Sequence, residues 1–421
     1  MKTIPFRAEL FPRYTCFSPY VPVWLLTAKI PGCIHRFFDT SPLSPSGRYL
    51  AVTRFPQEQR PPVAGEEAEV LVLDLWNHEI CYRARTAAWG TQTGAHVQWG
   101  STDRELFYNV MDVDEWCPYG VCVDILTGKT RCLGMPVYMV CADGSRVAAP
   151  CLRRIELSQP GYGVTVPLPF LPVNVGAVDD DGLWIGDAWS GDIERLISFR
   201  QIVDALGDDW QNTEYYRDGG FYGFHVKWNP QGDRLMFVVR YRRHGGGVHT
   251  RMACDVMTMR PDGREIALAL GSQQRLLGGH HPNWHPDGVH ITQNLVLKPG
   301  EPMRLVQFRH DGSDLRVLSS HRGSGHPSVH PSGRYLVTDC YETESLAYPE
   351  GSVPVRWIDL DSDAMVELCR VPVRPPEAGP LRALRIDPHP VFDRSGRFLL
   401  FNACLDGHRH VLLADLSSLL A

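Results

Sequence analysis

Apolar and polar residues alternate along this chain in short runs, not in helical periods. One run recurs: an apolar anchor, a small polar turn closing on glycine, and a returning apolar strand. It reads LSPSGRYLAVTRF from Leu43, VCADGSRVAAP from Val140, WNPQGDRLMFVVR from Trp228 and WHPDGVHITQNL from Trp284. It returns as VHPSGRYLVTDCY from Val329 and FDRSGRFLLFNAC from Phe392, and WGSTDRELFYNV from Trp99 is a copy with an altered turn. Each run is a β-hairpin in which glycine supplies the positive φ of the turn. A second run follows every copy, two β-rich stretches around a polar turn, as in AEVLVLDLWNHEICYR from Ala68 and PVRWIDLDSDAMVEL from Pro354. Two hairpins make four strands, which is one propeller blade.

Seven such units predict an all-β seven-bladed β-propeller, one domain over residues 1–421. The last unit, HVLLADLSS from His410, stops before its second strand. Segment 1–35, through its stretch Val21–Ile30, is expected to supply that outer strand and protect the open edge. Between Val140 and Trp228 there is only one second hairpin, so this long stretch counts as one blade with insertions. ISFRQIVDALG, near Ile197, reads as a short surface helix.

Composition narrows the function classes. The 42 basic and 48 acidic residues give a net charge of −6, with no basic stripe for a nucleic-acid partner. The apolar stretch Tyr20–Ile30 is too short to span a membrane. Arg7 and Glu9 interrupt any leader-like run, so a soluble cytoplasmic protein is expected, a mature secreted form being the alternative. The twelve cysteines have no metal-type CxxC spacing. Cys122, Cys340 and Cys404 sit in strand runs and are expected to be buried, reduced thiols.

The histidines carry the chemistry. Three positions before the anchor stand His96, His225, His281, His326 and His389, with Thr40 and Val137 in the other two units. Only 17 histidines occur in the chain, so chance would place fewer than one at these seven positions. The innermost strand of a blade lines the channel, and its first residues share a rim. Converging imidazoles there suit a divalent metal (Zn, Mn or Ca) or proton transfer near neutral pH. His225, His281, His326 and His389 form the expected metal group, and His96, set apart from them, is the expected catalytic base. An acidic oligosaccharide would need cationic donors. Arg153 and Arg154 follow a strand of the third unit, and Arg240, Arg242 and Arg243 end the strand that returns from Trp228, before an HGGGVH loop. Tyr162, in PGYGV, is a candidate acid or base. His35, Asp39 and Arg153 are candidate substrate contacts.

SPLSPSGRYLAVTRFP, GAHVQWG, PGYGV followed by DDDGLW, and GSGHPSVHPSGRYLVTD together resemble the seven-bladed propeller polysaccharide lyases. That group includes oligogalacturonate, ulvan and rhamnose-α-1,4-glucuronate lyases. The resemblance runs from about Arg36 to the end and is nearest the last branch. It implies β-elimination at a uronic acid, with His96 matching the catalytic histidine and Tyr162 the catalytic tyrosine. Two family positions differ. DVDEWCPYG lacks the second histidine, and FLPVNVGAVDDDG lacks the arginine that follows the tyrosine. The resemblance thus implies a carboxylate neutraliser moved to Arg154 or Arg240, or a changed activity. Two other readings stay open: a metal-stabilised propeller that binds glycan or protein without chemistry, and a hydrolase using Asp39 with Asp179–Asp181.

Overall fold

The computed structural model describes residues 6–207, 219–244, 253–379 and 382–420. It contains seven four-stranded antiparallel sheets, the blades of an all-β seven-bladed propeller. The anchors and turns explain why the repeat folds this way. In six blades the turn glycine (Gly47, Gly144, Gly232, Gly288, Gly333, Gly396) takes φ between +71° and +80°, a region costly for other residues. The turns also link blades in series. Arg146 donates to the Gly232 carbonyl at 2.6 Å, Asn229 to Gly288 at 3.1 Å, and His330 to Gly396 at 3.2 Å. Two tryptophan anchors add a second latch. The Trp99 indole N–H donates to the Pro42 carbonyl at 2.9 Å, and that of Trp284 to Lys227 at 3.0 Å. Each acceptor immediately precedes the anchor of the previous blade.

The chain forms two compact units: Met1–Val110, Cys122–Thr130 and Ser324–Ala421; and Met111–Val121 with Arg131–Gly323. The first contains blades one, six and seven and the inner part of blade two. Its apolar clusters lie between sheets. Trp24, Leu50, Leu71 and Leu413 join blades seven and one, and Val355, Trp357, Leu399 and Phe401 join six and seven. Third strands are accordingly buried on both faces, as in Ser352–Asp359, whereas outer strands such as Glu79–Thr86 alternate toward solvent. Val23–Leu25 pairs antiparallel with Leu412–Ala414 and completes blade seven, as the truncated last repeat predicts.

The second unit contains blades three to five and the rest of blade two. Met236, Val256, Trp284, Ile291 and Val306 pack blades four and five together. The expected surface helix is α2, Phe199–Leu206, started by a capping box between Ser198 and Gln201 and followed by Gly207 at φ +78°. A helix not foreseen from the sequence, α1 (Leu152–Ser158), follows the second strand of blade three; its N-cap, Cys151, makes no side-chain cap bond. All twelve cysteines are free thiols, and Cys122, Cys340 and Cys404 are buried as expected. Among the described residues no helix is long and apolar enough to cross a membrane.

Candidate active site and metal centre

In the first unit, the strand starts of blades six and seven bring His326 and His389 together, ring centroids 4.3 Å apart and nearly perpendicular. Both are buried. His389 takes φ +51°, an uncommon conformation for a side-chain-bearing residue, held here by the strand that starts two residues later. Asp339, just after the strand Tyr335–Thr338, organises the pair. Its carboxylate accepts the backbone N–H of His326 at 2.6 Å and of His389 at 3.3 Å. It also meets His326 Nδ1 at 2.9 and 3.0 Å. A carboxylate partner puts the proton on Nδ1 and leaves Nε2 as the basic nitrogen, the usual arrangement behind a metal-ligating histidine.

Asp387 completes a three-donor group. One donor atom each from His326, Asp387 and His389 lies within 4.8 Å of the others, all three residues buried. Asp387 accepts from Arg385 Nε at 2.8 Å and stands 3.9 Å from His389 Nε2. A cavity of about 10 Å³, lined by Asp387, His389, Asn402 and Arg409 among others, adjoins it. Phe37, 4.6 Å from His389, and Phe38, 5.3 Å from His326, form an apolar wall. Two imidazoles and one carboxylate, with a carboxylate behind the first imidazole, fit a borderline divalent ion such as Mn²⁺ or Zn²⁺ better than Ca²⁺, which takes oxygen ligands.

The other expected residues of this unit sit as follows. His35 lies 6.4 Å from His389, and burial lowers its pKa to about 4. Asp39 forms a fully buried ion pair with Arg36 and accepts from Thr40 Oγ1 at 2.9 Å, which engages the carboxylate internally. His96 is fully buried at φ +55°, with Nε2 3.2 Å from Thr93 Oγ1.

The second unit holds a different cluster. His225 lies within the inner strand Gly219–Trp228 of blade four, where the register shifts between Gly223 and Val226. Its Nδ1 bonds the Tyr138 hydroxyl. Tyr162, 2% exposed, stands edge-on to His225 at 5.8 Å and to Phe224 at 5.2 Å. The Arg240 guanidinium lies over the Phe224 ring at 3.5 Å. It donates to the Ser158 carbonyl at 3.2 Å and the Gln159 side chain at 2.9 Å, and desolvation pulls its pKa down. Among the described residues no carboxylate pairs with it. His281, at φ +60°, has its Nδ1 2.9 Å from His280 Nδ1. Neither His225 nor His281 is part of the three-donor group.

Arg153 and Arg154 point elsewhere in this unit. They line a cavity of about 270 Å³ with Asp180, Asp181 and Trp184. Arg154 is 3.4 Å from Asp181, which also accepts from Asn174 at 2.8 Å, and Arg153 donates to the Phe170 carbonyl at 3.2 Å. Tyr162 is not among the residues that line this cavity. Arg242 donates to the Leu157 carbonyl at 2.7 Å, and most of the HGGGVH loop lies outside the described residues. Sequence reasoning missed Asp339, Asp387 and Tyr138. Two signals were present: Asp387 stands two residues before His389, and Asp339 stands ten residues after its anchor, where Asn109, Asn294 and Asn402 stand in other units.

No family model matches the chain. No curated protein matches it either. Solved structures do. An oligogalacturonate lyase in complex with manganese aligns over 99% of this chain and 98% of its own, with a TM-score of 0.63 and 18% identity. The oligogalacturonate lyase from Vibrio parahaemolyticus aligns over 96% of both chains, with a TM-score of 0.63 and 13% identity. The β-propeller domain of the trilobed protease from Pyrococcus furiosus covers 90% of this chain and 96% of its own, with a TM-score of 0.50 and 11% identity. At these identities the likeness establishes architecture, and it agrees with the seven paired hairpins: the chain has the fold of an all-β seven-bladed propeller.

Proposed function

We propose that the protein is a lyase that cleaves an oligosaccharide at a uronic acid by β-elimination, with a rhamnosyl-α-1,4-glucuronate linkage as the expected substrate. The observation that carries this reading is the Tyr162–His225–Arg240 cluster: a buried phenol against an imidazole, beside a guanidinium with no acidic partner among the described residues. Arg240 would bind and neutralise the uronate carboxylate, which acidifies the adjacent C5 proton. A general base takes the C5 proton, the role that the sequence resemblance implies for His96. The C5–H electron pair becomes the C4=C5 double bond as the C4–O4 bond breaks, and Tyr162 donates its proton to the departing O4. Full-length likeness to oligogalacturonate lyases, one of them a manganese complex, supports the same reaction class.

His326, His389 and Asp387 would hold a divalent ion, with Asp339 orienting His326. Such an ion supplies Lewis-acid polarisation when bound. The metal group is thus narrower than the four histidines of the register pattern and gains a carboxylate. The hydrolase reading loses support, because Asp39 is engaged by Arg36 and Asp181 by Arg154 and Asn174.

The test is the ultraviolet absorbance of the new C4–C5 double bond when the protein acts on glucuronate oligosaccharides. Tyr162→Phe should lower kcat by roughly 10²–10⁴, and Arg240→Ala should raise KM as well. Undiminished turnover by Tyr162→Phe would remove the tyrosine from the reaction. Saturable binding of the oligosaccharide with no new absorbance would favour the binding propeller.

A further inference from the structure

The turn that presents Tyr162 is tied to α1 by one carboxylate. Glu156, in the last half of that helix, reaches forward to the loop. Its two oxygens accept the Gly161 backbone N–H at 3.1 and 3.0 Å, and the Gly163 N–H dipole adds a favourable pull on the same carboxylate. The two glycines flank Tyr162. Gly161 takes φ +89°. A Cβ on Gly163 would stand 2.3 Å from the Leu152 carbonyl oxygen and 2.8 Å from the Glu156 nitrogen, so only glycine lets the loop lie this close on the helix. The Val164 N–H then donates to the Leu152 carbonyl at 3.2 Å and closes the turn.

The cations nearby are engaged elsewhere. Arg240 and Arg242 hold the carbonyls of Ser158 and Leu157 at the end of α1, where they complement its C-terminal dipole. Arg153 and Arg154 meet Phe170 and Asp181. His225, on the inner strand packed against the loop, faces Tyr162. Among the described residues no cation forms an ion pair with Glu156.

We infer that Glu156 is a positioning residue for Tyr162: by holding the Gly161 N–H just before it, while Gly163 lies close on α1 just after it, the carboxylate fixes where the phenol sits against His225 and Phe224. This role rests on the lyase reading only for its consequence in turnover. Desolvation lifts the Glu156 carboxyl from 4.5 to about 7, against the opposing pull of the Gly161 and Gly163 N–H groups. An opened, hydrated loop would restore the ordinary value. Closure is therefore linked to keeping the proton: the closed loop is most favoured at low pH and loses favour as pH rises from 4.5 to about 7.

Hydrogen–deuterium exchange of residues 159–166, corrected for intrinsic rates, tests the role without any need for activity. Glu156→Ala should speed exchange there by about tenfold while distant blades keep their protection. Glu156→Gln keeps an acceptor oxygen and should stay protected. In the unmodified protein, protection should fall between pH 4.5 and about 7, and in Glu156→Gln it should be flat across that window. On uronate substrate, Glu156→Ala should lower kcat by about tenfold with KM little changed, since the group orients Tyr162 and does not bind sugar. Exchange in Glu156→Ala equal to that of the unmodified protein would overturn the inference, as would an unchanged pH profile in Glu156→Gln. Altered exchange with no turnover by the unmodified protein would leave the positioning role standing and sink the lyase reading.

Discussion

Buried polar residues separate into those that hold the fold and those set for chemistry. Arg36 and Asp39 neutralise each other in full burial. Truncating Arg36 strands a carboxylate, so Arg36→Ala should cost about 3–5 kcal/mol of stability in chemical denaturation. Asp339 has another role: it spends its oxygens on two backbone N–H groups and one imidazole, all belonging to the histidines of the three-donor group. Asp339→Asn should weaken divalent-metal binding by about 10–100-fold, read by titration with Mn²⁺ or Zn²⁺. His389→Ala should abolish stoichiometric binding. Equal affinity in the Asn variant would mean that His326 needs no carboxylate to orient it. The residue scale is also where the sequence was least informative. Histidines appeared because they repeat at one offset from the anchor. Asp387 and Tyr138 repeat nowhere, and although Asp339 shares its place ten residues after the anchor with Asn109, Asn294 and Asn402, only the tertiary fold shows which carboxylates meet the imidazoles.

At the scale of elements, the anchor is the device that turns a hairpin repeat into a stack of blades. The indoles of Trp99 and Trp284 each reach the carbonyl just before the preceding anchor. Trp99→Phe keeps most of the apolar volume, loses that hydrogen bond and leaves the Pro42 carbonyl without this donor. It should destabilise by about 1–3 kcal/mol, seen as a lower denaturant midpoint with an unchanged slope. The strand Val23–Leu25 is a different kind of element, borrowed from the other end of the chain. Removing residues 1–25 would expose the edge His408–Asp415, and the shortened protein should aggregate or unfold at lower temperature. The missing outer strand was legible because the last repeat is truncated. Helix α1 was not, since LRRIELS carries neither a capping side chain nor a repeat, and its Leu152 and Ile155 are buried under the Tyr162 loop.

At the scale of the molecule, the propeller was readable because seven weak local signals agree, and each fixes the same blade. The same scaffold carries lyases and a protease domain among its solved likenesses, so architecture does not choose the reaction. In the proposed reaction the chemistry would come from the buried phenol, the imidazoles and a guanidinium that has no carboxylate partner among the described residues. The net charge of −6 gives no general attraction for an anionic glycan, so in the proposed reaction recognition would be local, at Arg240. Mass spectrometry of the products from a rhamnosyl-α-1,4-glucuronate oligosaccharide tests the central claim most directly. Elimination predicts a glucuronate-bearing product lighter by one water than hydrolysis would give, formed by the unmodified protein and lost in Tyr162→Phe. A fully hydrated product, or cleavage that survives Tyr162→Phe unchanged, would contradict it.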